Sequence, residues 1–501
     1  MIQPRPLLLR ADASPAIGTG HVMRCLALAE AWQAVGGEVV LLSSALPAPL
    51  KERASSQGVD VVNLPAGFQG DEDTRFTAQT AAQLGALWVV MDGYHFPHTA
   101  SSMLQAAGLH VLWVDDFGVK DDFAPDLLLN QNLGASTEWY PLLGPQTELL
   151  LGPRYALLRR EFARWRGWKR EVPERARRLL VTLGGSDPAN VTAKVIEALV
   201  LMGDRAPTAT VLAGAANPRA DALARMLEGT PHQLCRQATD MPALMAESDL
   251  AIAAGGTTVW ELAFMGLPSL LICLADNQRR NCRELAAAGA AVDMGWHEEV
   301  TPQLIAQTME QLIVDAPRRA AMSAGGRALV DGCGAERVCL HLREGDLRLR
   351  PATMNDARLL FEWFNEPAVR AVSFSPEKVS WEHHCAWLKS KLSDEHYVIW
   401  LAEAGAGRLV GQARFVLEDD TATISISLAA ESRGQGLGTL LIWAACRRLC
   451  REHQRIRRIE AWIKPDNVGS LRAFEKAGFQ FLAEKDVHGQ PAVIYEWRCG
   501  L

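Results

Sequence analysis

The stretch Arg10-Ala-Asp-Ala-Ser-Pro-Ala-Ile-Gly-Thr-Gly-His-Val-Met-Arg24 decides the fold of the N-terminal part of this chain. The apolar run before it, Leu7–Leu9, is typical of a covered parallel strand, and residues 22–35 are apolar at roughly helical spacing. Gly18 and Gly20 allow the turn between them to come close to a ligand. The helix directs its free N–H groups and the positive end of its dipole at that turn, which favours an anion such as a pyrophosphate. The stretch therefore predicts a strand, a turn and a helix, with His21 beside an anion or sugar pocket.

The turn differs from the GxGxxG pattern of dinucleotide-binding folds, because Gly18-Thr-Gly20 is followed by His-Val-Met. The whole string resembles the N-terminal signature of the nucleotide-sugar hydrolases of pseudaminic acid biosynthesis, which remove UDP from a 2,4-diacetamido-2,4,6-trideoxy-altrose. The resemblance implies two Rossmann-like halves in GT-B arrangement, with the sugar nucleotide in the cleft. Hydrolysis at an anomeric carbon needs a positioned water and a proton acceptor, so we expect His21 to be the base and a hydrogen-bonded carboxylate, such as Asp12, to orient it. We expect Gly18, Gly20 and Arg24 to line the substrate site. In the alternative, His21 only caps or packs at the helix start.

Composition indicates a multidomain protein without a nucleic-acid or membrane partner. The chain has 501 residues, 49% of them hydrophobic and 22% charged, which is enough for two to four cores. A net charge of -7 with interspersed signs argues against nucleic-acid binding, and no 18 consecutive apolar residues occur. The start of the chain lacks a signal-peptide layout, so we expect a cytoplasmic protein. The ten cysteines form no CxxC pair, which favours reduced thiols and no metal site.

Alternating strand and helix patterns predict two parallel, doubly wound sheets followed by an α+β domain. The predicted strands of the first sheet are Leu7–Leu9, Glu38–Leu42, Val59–Leu64, Leu87–Met91, Val111–Val114 and Leu127–Leu129. A second series opens at Arg178–Leu183, and from residue 346 the pattern becomes antiparallel, with strands at Tyr397–Ala402, Arg408–Leu417 and Ala422–Leu428. We expect domains at residues 1–152, 153–338 and 346–501. The predicted fold class is α/β, with two Rossmann-like domains in GT-B arrangement and a third α+β domain.

The second half contains a specific segment that resembles the donor-nucleotide site of GT-B enzymes, Ser248–Ser269. Gly255 and Gly256 would let the backbone approach a pyrophosphate, and Thr257 and Thr258 would add hydroxyl donors. Glu261, one helical turn on, would accept from ribose hydroxyls, or else would only complement the helix dipole. This half is expected to contact the substrate also through Ser186, Asn277 and Gln278. Ser186 follows a Gly-Gly turn, which in the alternative is only an ordinary strand-to-helix turn. Asn277 and Gln278 lie at a strand end, where ligands of open α/β sheets bind.

Polar side chains also end two strands of the first half. Asp92 and Tyr94 follow one strand, and the hydrolase family has a similar Asp-x-Tyr near its substrate, so we expect both to face the cleft, with Tyr94 in the catalytic set. Asp115 and Asp116 follow the next strand. The sequence leaves two alternatives for them, a position facing the cleft or a solvated turn.

The C-terminal region carries a glycine-rich loop between a strand and a helix. Main-chain N–H groups along this loop can surround a pyrophosphate. The loop resembles the acetyl-CoA site of GNAT-type acetyltransferases, and the resemblance implies cofactor contacts from Arg433, Gly434, Gly436, Leu437, Gly438, Thr439, Asn467 and Ser470. Phe474 departs from the family, since many members have there a Tyr that protonates the CoA thiolate; Tyr495 or solvent would have to replace it.

The start of this domain, residues 347–365, resembles acetyltransferases that use amino sugars. Glu366, His383 or His384 is expected near the amine, and the sequence does not choose among them.

The two resemblances together predict a bifunctional enzyme of pseudaminic acid biosynthesis. It would use acetyl-CoA to N-acetylate UDP-4-amino-4,6-dideoxy-N-acetyl-altrosamine and would then release UDP by hydrolysis. Two alternatives stay open: the same chemistries on an isomeric UDP-amino-sugar, or one domain acting as a silent sensor. The expected partners are the UDP-amino-sugars and acetyl-CoA; the sequence gives no oligomeric state.

Overall fold

The computed structural model describes residues 4–14, 17–119, 121–185, 187–214, 217–236, 238, 240–405, 407–487 and 489–499. It divides into two compact units, Arg5–Val338 and Cys339–Leu501. Within the described residues, no helix combines the length and the apolar character that a membrane span requires.

The first half of the N-terminal unit is a seven-stranded, entirely parallel sheet with the order β3-β2-β1-β4-β5-β6-β7. Its central strands are buried along their whole length because helices cover both faces, which explains their apolar sequence. The elements are β1 Leu7–Ala11, α1 Gly20–Ala34, β2 Val39–Ser43, α2 Ala48–Ser56, β3 Asp60–Asn63, α3 Asp71–Leu84, β4 Trp88–Asp92, α4 Thr99–Ala106, β5 His110–Val114, β6 Leu127–Asn130 and β7 Glu148–Leu151.

The second half repeats this design with a six-stranded parallel sheet of order β10-β9-β8-β11-β12-β13. The elements are β8 Arg178–Thr182, α5 Val191–Met202, β9 Thr208–Leu212, α6 Ala220–Leu227, β10 Gln233–Cys235, α7 Met241–Glu247, β11 Leu250–Ala254, α8 Thr258–Phe264, β12 Ser269–Cys273, α9 Asp276–Ala287, β13 Ala291–Trp296, α10 Pro302–Val314, α11 Ala316–Leu329 and α12 Gly334–Leu342. The boundary between the two units falls within α12.

Both sheets reverse their strand order at a single point. In the first half β1 lies between β2 and β4, and in the second half β8 lies between β9 and β11. Ligands of open α/β sheets bind outside the carboxyl ends of the strands at such a switch point. The turns after β1, β4, β8 and β11 therefore mark the place of the site, and these turns carry most of the residues that the sequence singles out.

The C-terminal unit is a mixed seven-stranded sheet of order β14-β15-β16-β17-β18-β20-β19. The elements are β14 Leu347–Pro351, α13 Ala357–Asn365, α14 Pro367–Ala371, α15 Trp381–Leu392, β15 Tyr397–Ala404, β16 Arg408–Glu418, β17 Thr421–Leu428, α16 Leu437–Glu452, β18 Arg458–Ile463, α17 Val468–Ala477, β19 Gln480–Val487 and β20 Gln490–Arg498. The parallel pair β17 and β18 is in register only as far as Ile424 and Ala461, so the later parts of both strands diverge. This divergence opens a cavity at the centre of the sheet.

These observations confirm the predicted fold class: two Rossmann-like sheets followed by an α+β domain. One local prediction is wrong. Not all thiols are free, since Cys450 and Cys499 form a disulfide across 49 residues while the other eight cysteines are unbridged.

Candidate functional site

A histidine and an aspartate form a buried pair at the switch point of the first half. His21 lies in the first turn of α1, and Asp92 is the last residue of β4. The His21 Nδ1 and the Asp92 Oδ1 are 2.6 Å apart, and the Asp92 side chain is fully buried. When Nδ1–H donates to the carboxylate, the neutral ring keeps Nε2 as a proton acceptor. The pair can therefore act as a general base whose tautomer is fixed by the carboxylate.

A chain of hydrogen bonds links this pair to the second half of the unit. Arg24, one turn after His21, donates from Nε to Asp92 Oδ2 at 2.6 Å and from Nη1 to Asp116 Oδ1 at 2.9 Å. The Tyr94 hydroxyl donates to Asp116 Oδ2 at 2.6 Å and accepts from the Asn277 amide at 2.9 Å. The Tyr94 ring also packs edge-on against the His21 ring, with 4.6 Å between centroids. The imidazole is thus held by both a hydrogen bond and a ring contact.

The charges along this chain are compensated. Burial would raise the pKa of Asp92, but the Arg24 guanidinium and His21 outweigh it, so the pKa of Asp92 lies well below its usual range. The pKa of Asp116 is also lowered, since Arg24 and Tyr94 outweigh the effect of burial. Burial and the Asp116 carboxylate raise the pKa of Tyr94, which keeps its proton. Two carboxylates therefore stay ionised next to a neutral phenol at neutral pH.

Asp12 does not orient His21, which corrects the prediction from the sequence. Its carboxylate accepts from Arg10 Nη1 at 2.7 Å and from the Ser44 N–H at 2.6 Å, and His95 Nε2 lies 3.0 Å from it. Arg10 and Asp12 share one face of the strand because residues two apart point the same way. Asp92 occupies the place that was expected for Asp12, because β4 is the strand next to β1.

The turns of the two halves face each other across the cleft. A Cβ added at Gly20 would lie 3.7 Å from the Thr257 hydroxyl oxygen, and one added at Gly185 would lie 3.6 Å from the Thr19 methyl group. The cavity between them measures about 270 Å³. Its lining includes the following predicted residues: Gly18, Gly20, His21, Arg24, Tyr94, Gly255, Gly256, Thr257, Thr258, Asn277 and Gln278. Polar side chains that the sequence did not single out, Thr182 and Asn281, line it as well, as does Asp116.

Gly255 has a steric reason to be glycine. A Cβ there would lie 2.5 Å from the Cys282 sulfur and 3.0 Å from the Gln278 Cβ. The turn after β11 therefore packs directly on α9, and the space on its other side belongs to the cavity. The Asn281 amide, which donates to the Gly255 carbonyl, helps to fix this turn. Asn281 was missed because it lies inside a helix rather than at a strand end.

Two predicted substrate contacts that the structure describes, Asp92 and Glu261, lie outside this lining. Asp92 is fully buried and paired with His21 and Arg24, so it does not face the cleft as expected. Glu261 holds Arg159 through both carboxylate oxygens, at 2.8 and 2.9 Å, and does not line the cavity. Ser186 lies outside the described residues, so its role stays a prediction.

In the C-terminal unit the glycine-rich loop forms a left-handed turn at the start of α16. Gly434 and Gly436 both have φ of +73°, a conformation that other residues rarely adopt. Leu437, Gly438 and Thr439 then form the first turn of α16, a helix of 16 residues whose N-terminus favours an anion. The Arg433 guanidinium does not extend from this loop as a free group, because it donates to Glu366 at 2.7 Å and to the Leu428 carbonyl at 3.0 Å.

The diverging strands of this unit enclose a second cavity, of about 180 Å³, which Asn467, Ser470 and Phe474 line. The Asn467 side chain accepts from the Ser470 N–H and so begins α17. Tyr495 does not line this cavity: its hydroxyl donates to Glu475 at 2.7 Å, and burial and this carboxylate raise the pKa of Tyr495 to about 12. The phenol is therefore a poor replacement for an acid at position 474.

The three residues expected near the amine also lie outside that lining. Glu366 pairs with Arg433, His383 is exposed, and the ring of His384 is buried with Nε2 3.0 Å from the Ala357 carbonyl.

The predicted absence of a metal stays a prediction. Cys273, Cys282 and Asp293 each offer a ligand atom, and these atoms lie within 4.8 Å of one another. Three such groups are a candidate set for a metal ion.

Comparison with known proteins assigns both units. Residues 179–330 match the glycosyltransferase family 28 C-terminal domain, and residues 346–480 match the acetyltransferase (GNAT) domain. One chain therefore contains a glycosyltransferase-28-like domain and a GNAT domain. The GNAT match supports acetyl-CoA as a co-substrate.

Three relatives show how far the similarity extends. A spore coat polysaccharide biosynthesis protein of Bacillus subtilis, SpsG, is 32% identical over 200 residues, which is 40% of this chain and 59% of that protein. The UDP-2,4-diacetamido-2,4,6-trideoxy-beta-L-altropyranose hydrolase of Campylobacter jejuni is 25% identical over 57% of this chain and 98% of its own length. An uncharacterized protein of Methanocaldococcus jannaschii is 22% identical over 94% of this chain and 95% of its own length. This chain thus spans little more than half of the spore coat protein.

Proposed function

We propose that the protein catalyses two consecutive steps on one nucleotide sugar of pseudaminic acid biosynthesis. The GNAT domain transfers an acetyl group to the 4-amino group of UDP-4-amino-4,6-dideoxy-N-acetyl-β-L-altrosamine. The GT-B-type unit then hydrolyses the product, UDP-2,4-diacetamido-2,4,6-trideoxy-β-L-altropyranose, to UDP and the free sugar. The observation that carries the hydrolytic step is His21, which lines the cleft between the two Rossmann-like halves and is paired with the buried Asp92.

In the hydrolytic step, His21 Nε2 takes a proton from water as the water oxygen attacks the anomeric carbon. The bond from that carbon to the β-phosphate oxygen breaks, and UDP leaves with the electron pair. Asp92 stabilises the imidazolium that forms, because its lowered pKa keeps it ionised. The turn at Gly255–Thr258 and the N-terminus of α1 hold the diphosphate, whose charge grows as the bond breaks.

In the acetyl transfer, the neutral 4-amino nitrogen attacks the thioester carbonyl carbon. The C–S bond then breaks, CoA leaves as the thiolate, and the nitrogen gives its extra proton to solvent. The loop from Gly434 to Thr439 holds the CoA diphosphate, and Asn467 and Ser470 line the cavity where the thioester would enter. Phe474 has no proton to give, so solvent protonates the thiolate in this proposal.

We also propose a cytoplasmic location, which the cysteines that form no disulfide support. The Cys450–Cys499 disulfide is the opposing observation, because disulfides are rare in reducing compartments. Fractionation of cells that express the chain tests the location: recovery with the cytoplasmic fraction supports the proposal, and recovery outside that fraction contradicts it.

The function is tested with the purified chain, acetyl-CoA and the UDP-4-amino sugar. We expect the diacetamido sugar and UDP as products, identified by mass spectrometry and NMR. His21→Ala should accumulate the UDP-diacetamido sugar, whereas Gly436→Trp should block acetylation but still hydrolyse substrate that is already acetylated. Equal loss of both activities in each variant would contradict two separate sites. Products of another configuration would move the proposal to an isomeric sugar, and no turnover of acetyl-CoA would make the GNAT domain a sensor, as Phe474 would allow.

A further inference from the structure

The cavity of the GNAT domain is lined by positive charge. It lies where β17 and β18 diverge, beside α13 and α14. Arg370, Arg414 and Lys464 line it, and no Asp or Glu is among its lining residues in the described part of the chain. A pocket that accepted a polyamine or a simple amino sugar would need carboxylates to balance the ammonium group. The composition of this lining therefore indicates an anionic ligand.

The half-buried Arg414 lacks the carboxylate partner that an enclosed guanidinium normally has. Its carbon Cζ lies 5.4 Å from the ring centre of Phe364 and 5.7 Å from that of Trp387. Within the described residues, no carboxylate forms an ion pair with it. By contrast, Arg350 in the same unit pairs with both Asp356 and Glu403. Arg414 thus contributes uncompensated positive charge to the cavity.

A second guanidinium lies on the same aromatic ring. The Arg370 Cζ is 3.9 Å from the centre of Phe364, and backbone carbonyls of Ser375 and Glu377 accept from its Nη1 at 2.8 and 3.0 Å. Burial lowers the pKa of both Arg370 and Arg414. The Arg370 charge lowers the pKa of Arg414 further, whereas the Glu377 carboxylate offsets part of the effect of burial on Arg370. Uncompensated buried charge is costly, and an anion bound between these groups would offset that cost.

The diphosphate of CoA does not explain these cations, because the turn from Gly434 to Gly438 is already suited to it. We propose that Arg414, with Arg370 and Lys464, binds the diphosphate of the acceptor, so that the GNAT domain selects the amino sugar only while it still carries UDP. The inference rests on the proposed function, and it adds which residues recognise the substrate. It also fixes the order of the steps: acetylation must come first, because hydrolysis removes the charge that the pocket recognises.

Kinetics with two acceptors tests this inference. The intact chain is given acetyl-CoA and either the UDP-4-amino sugar or the same amino sugar without UDP. Arg414→Gln should raise KM for the UDP-linked acceptor about 10- to 100-fold, which is the size expected for a hydrogen bond to a charged group. It should leave KM for acetyl-CoA and turnover of the free sugar unchanged. Arg414→Lys, which keeps the charge, should recover part of the loss, and the exposed Lys389→Gln is the matched control.

Two outcomes of this assay would overturn the inference. One is an equal effect of Arg414→Gln on both acceptors, which a merely structural role would produce. The other is a rise in KM for acetyl-CoA instead, which would assign the cations to the cofactor.

A binding measurement separates this inference from the proposed function. UDP is titrated calorimetrically into the chain saturated with coenzyme A, which blocks the turn at Gly434–Gly438. We expect two UDP sites in the intact chain and one in Arg414→Gln, since the cleft site is untouched. An unchanged number of sites contradicts the anion pocket. Loss of the second site together with no acetylation of any UDP-amino sugar would contradict the proposed function and leave the anion pocket supported.

Discussion

Replacing Asp92 with Asn should stop hydrolysis through the wrong tautomer of His21 rather than through loss of the fold. The Asn amide nitrogen would donate to Nδ1, which lies 2.6 Å from the carboxylate oxygen in the native chain. The ring proton would then be on Nε2, where the proton of water has to be accepted. A general base contributes about 100- to 10,000-fold, which corresponds to a barrier increase of about 3–5 kcal/mol.

The test is a double-mutant cycle on UDP release from the acetylated substrate. If Asp92 acts only through His21, the double variant His21→Ala, Asp92→Asn should be no slower than His21→Ala alone. Losses that add, or an Asp92→Asn variant within threefold of the native kcat, would refute the reasoning. The acetyltransferase rate should stay unchanged in all three variants.

Loss of stability needs its own control, because Asp92 also pairs with Arg24. Asp73→Asn removes a carboxylate from a similar buried pair, in which Arg10 donates to Asp73 at 2.9 and 2.6 Å and keeps Asp12 as a second partner. Removing one member of such a pair costs up to about 3–5 kcal/mol. We expect both Asn variants to unfold at lower denaturant concentration, and only Asp92→Asn to lose hydrolysis.

The acid dependence of stability gives the same carboxylate a second test. The folded pKa of Asp92 lies below its unfolded pKa of about 3.9, so ionised Asp92 stabilises the fold above about pH 4. This contribution is lost as the pH falls through the folded pKa. As the pH is lowered below about 4, the free energy of unfolding of Asp92→Asn should therefore fall less than that of the native chain.

Three further predictions follow from contacts described above. Gly255→Ala should lower the free energy of unfolding by about 1–3 kcal/mol, since its methyl group would lie 2.5 Å from the Cys282 sulfur. Gly256→Ala is the control: the nearest atom would be 3.7 Å from its methyl group, so thermal unfolding should be almost unchanged. Glu261→Ala should leave the affinity for UDP almost unchanged in calorimetry, because its carboxylate holds Arg159 and does not line the cavity; a clear loss of affinity would return it to the site. Without reductant, Cys450→Ser should have a free energy of unfolding about 4 kcal/mol below that of the native chain, because the disulfide closes a loop of 49 residues. With dithiothreitol, the variant and the native chain should be equally stable. Equal stability of the two proteins in both conditions would contradict a disulfide to Cys499.

The sequence predicts those parts of the fold and site that local chemistry determines. Apolar runs and glycine-rich turns place β1, α1 and β8 within a few residues, because burial and backbone freedom act over short distances along the chain. The partner of His21 is different in kind, since Asp92 is 71 residues away and meets it only through the strand order. The nearer carboxylate, Asp12, was the wrong expectation, although its i,i+2 relation to Arg10 indicates the pairing that forms.

The bonds across the cleft could not be predicted for a related reason. Tyr94 and Asn277 are 183 residues apart, and each looks like an ordinary strand-end polar residue by itself. The disulfide could not be predicted for the same reason: Cys450, near the end of α16, meets Cys499, which follows β20, only when the sheet is packed. Phe474 shows the opposite case: one residue type, read from the sequence, already excludes a proton donor at that position.

The hydrogen bond from Asn277 to Tyr94 has a consequence for recombining such enzymes. It makes one half of the N-terminal unit supply a donor to the chain that ends at His21 in the other half. A chimera that takes its second Rossmann-like half from a relative inherits whatever residue that relative has opposite the tyrosine. Parent enzymes for such an exchange should therefore be chosen first by the residues at positions 94 and 277, and only then by their overall sequence identity.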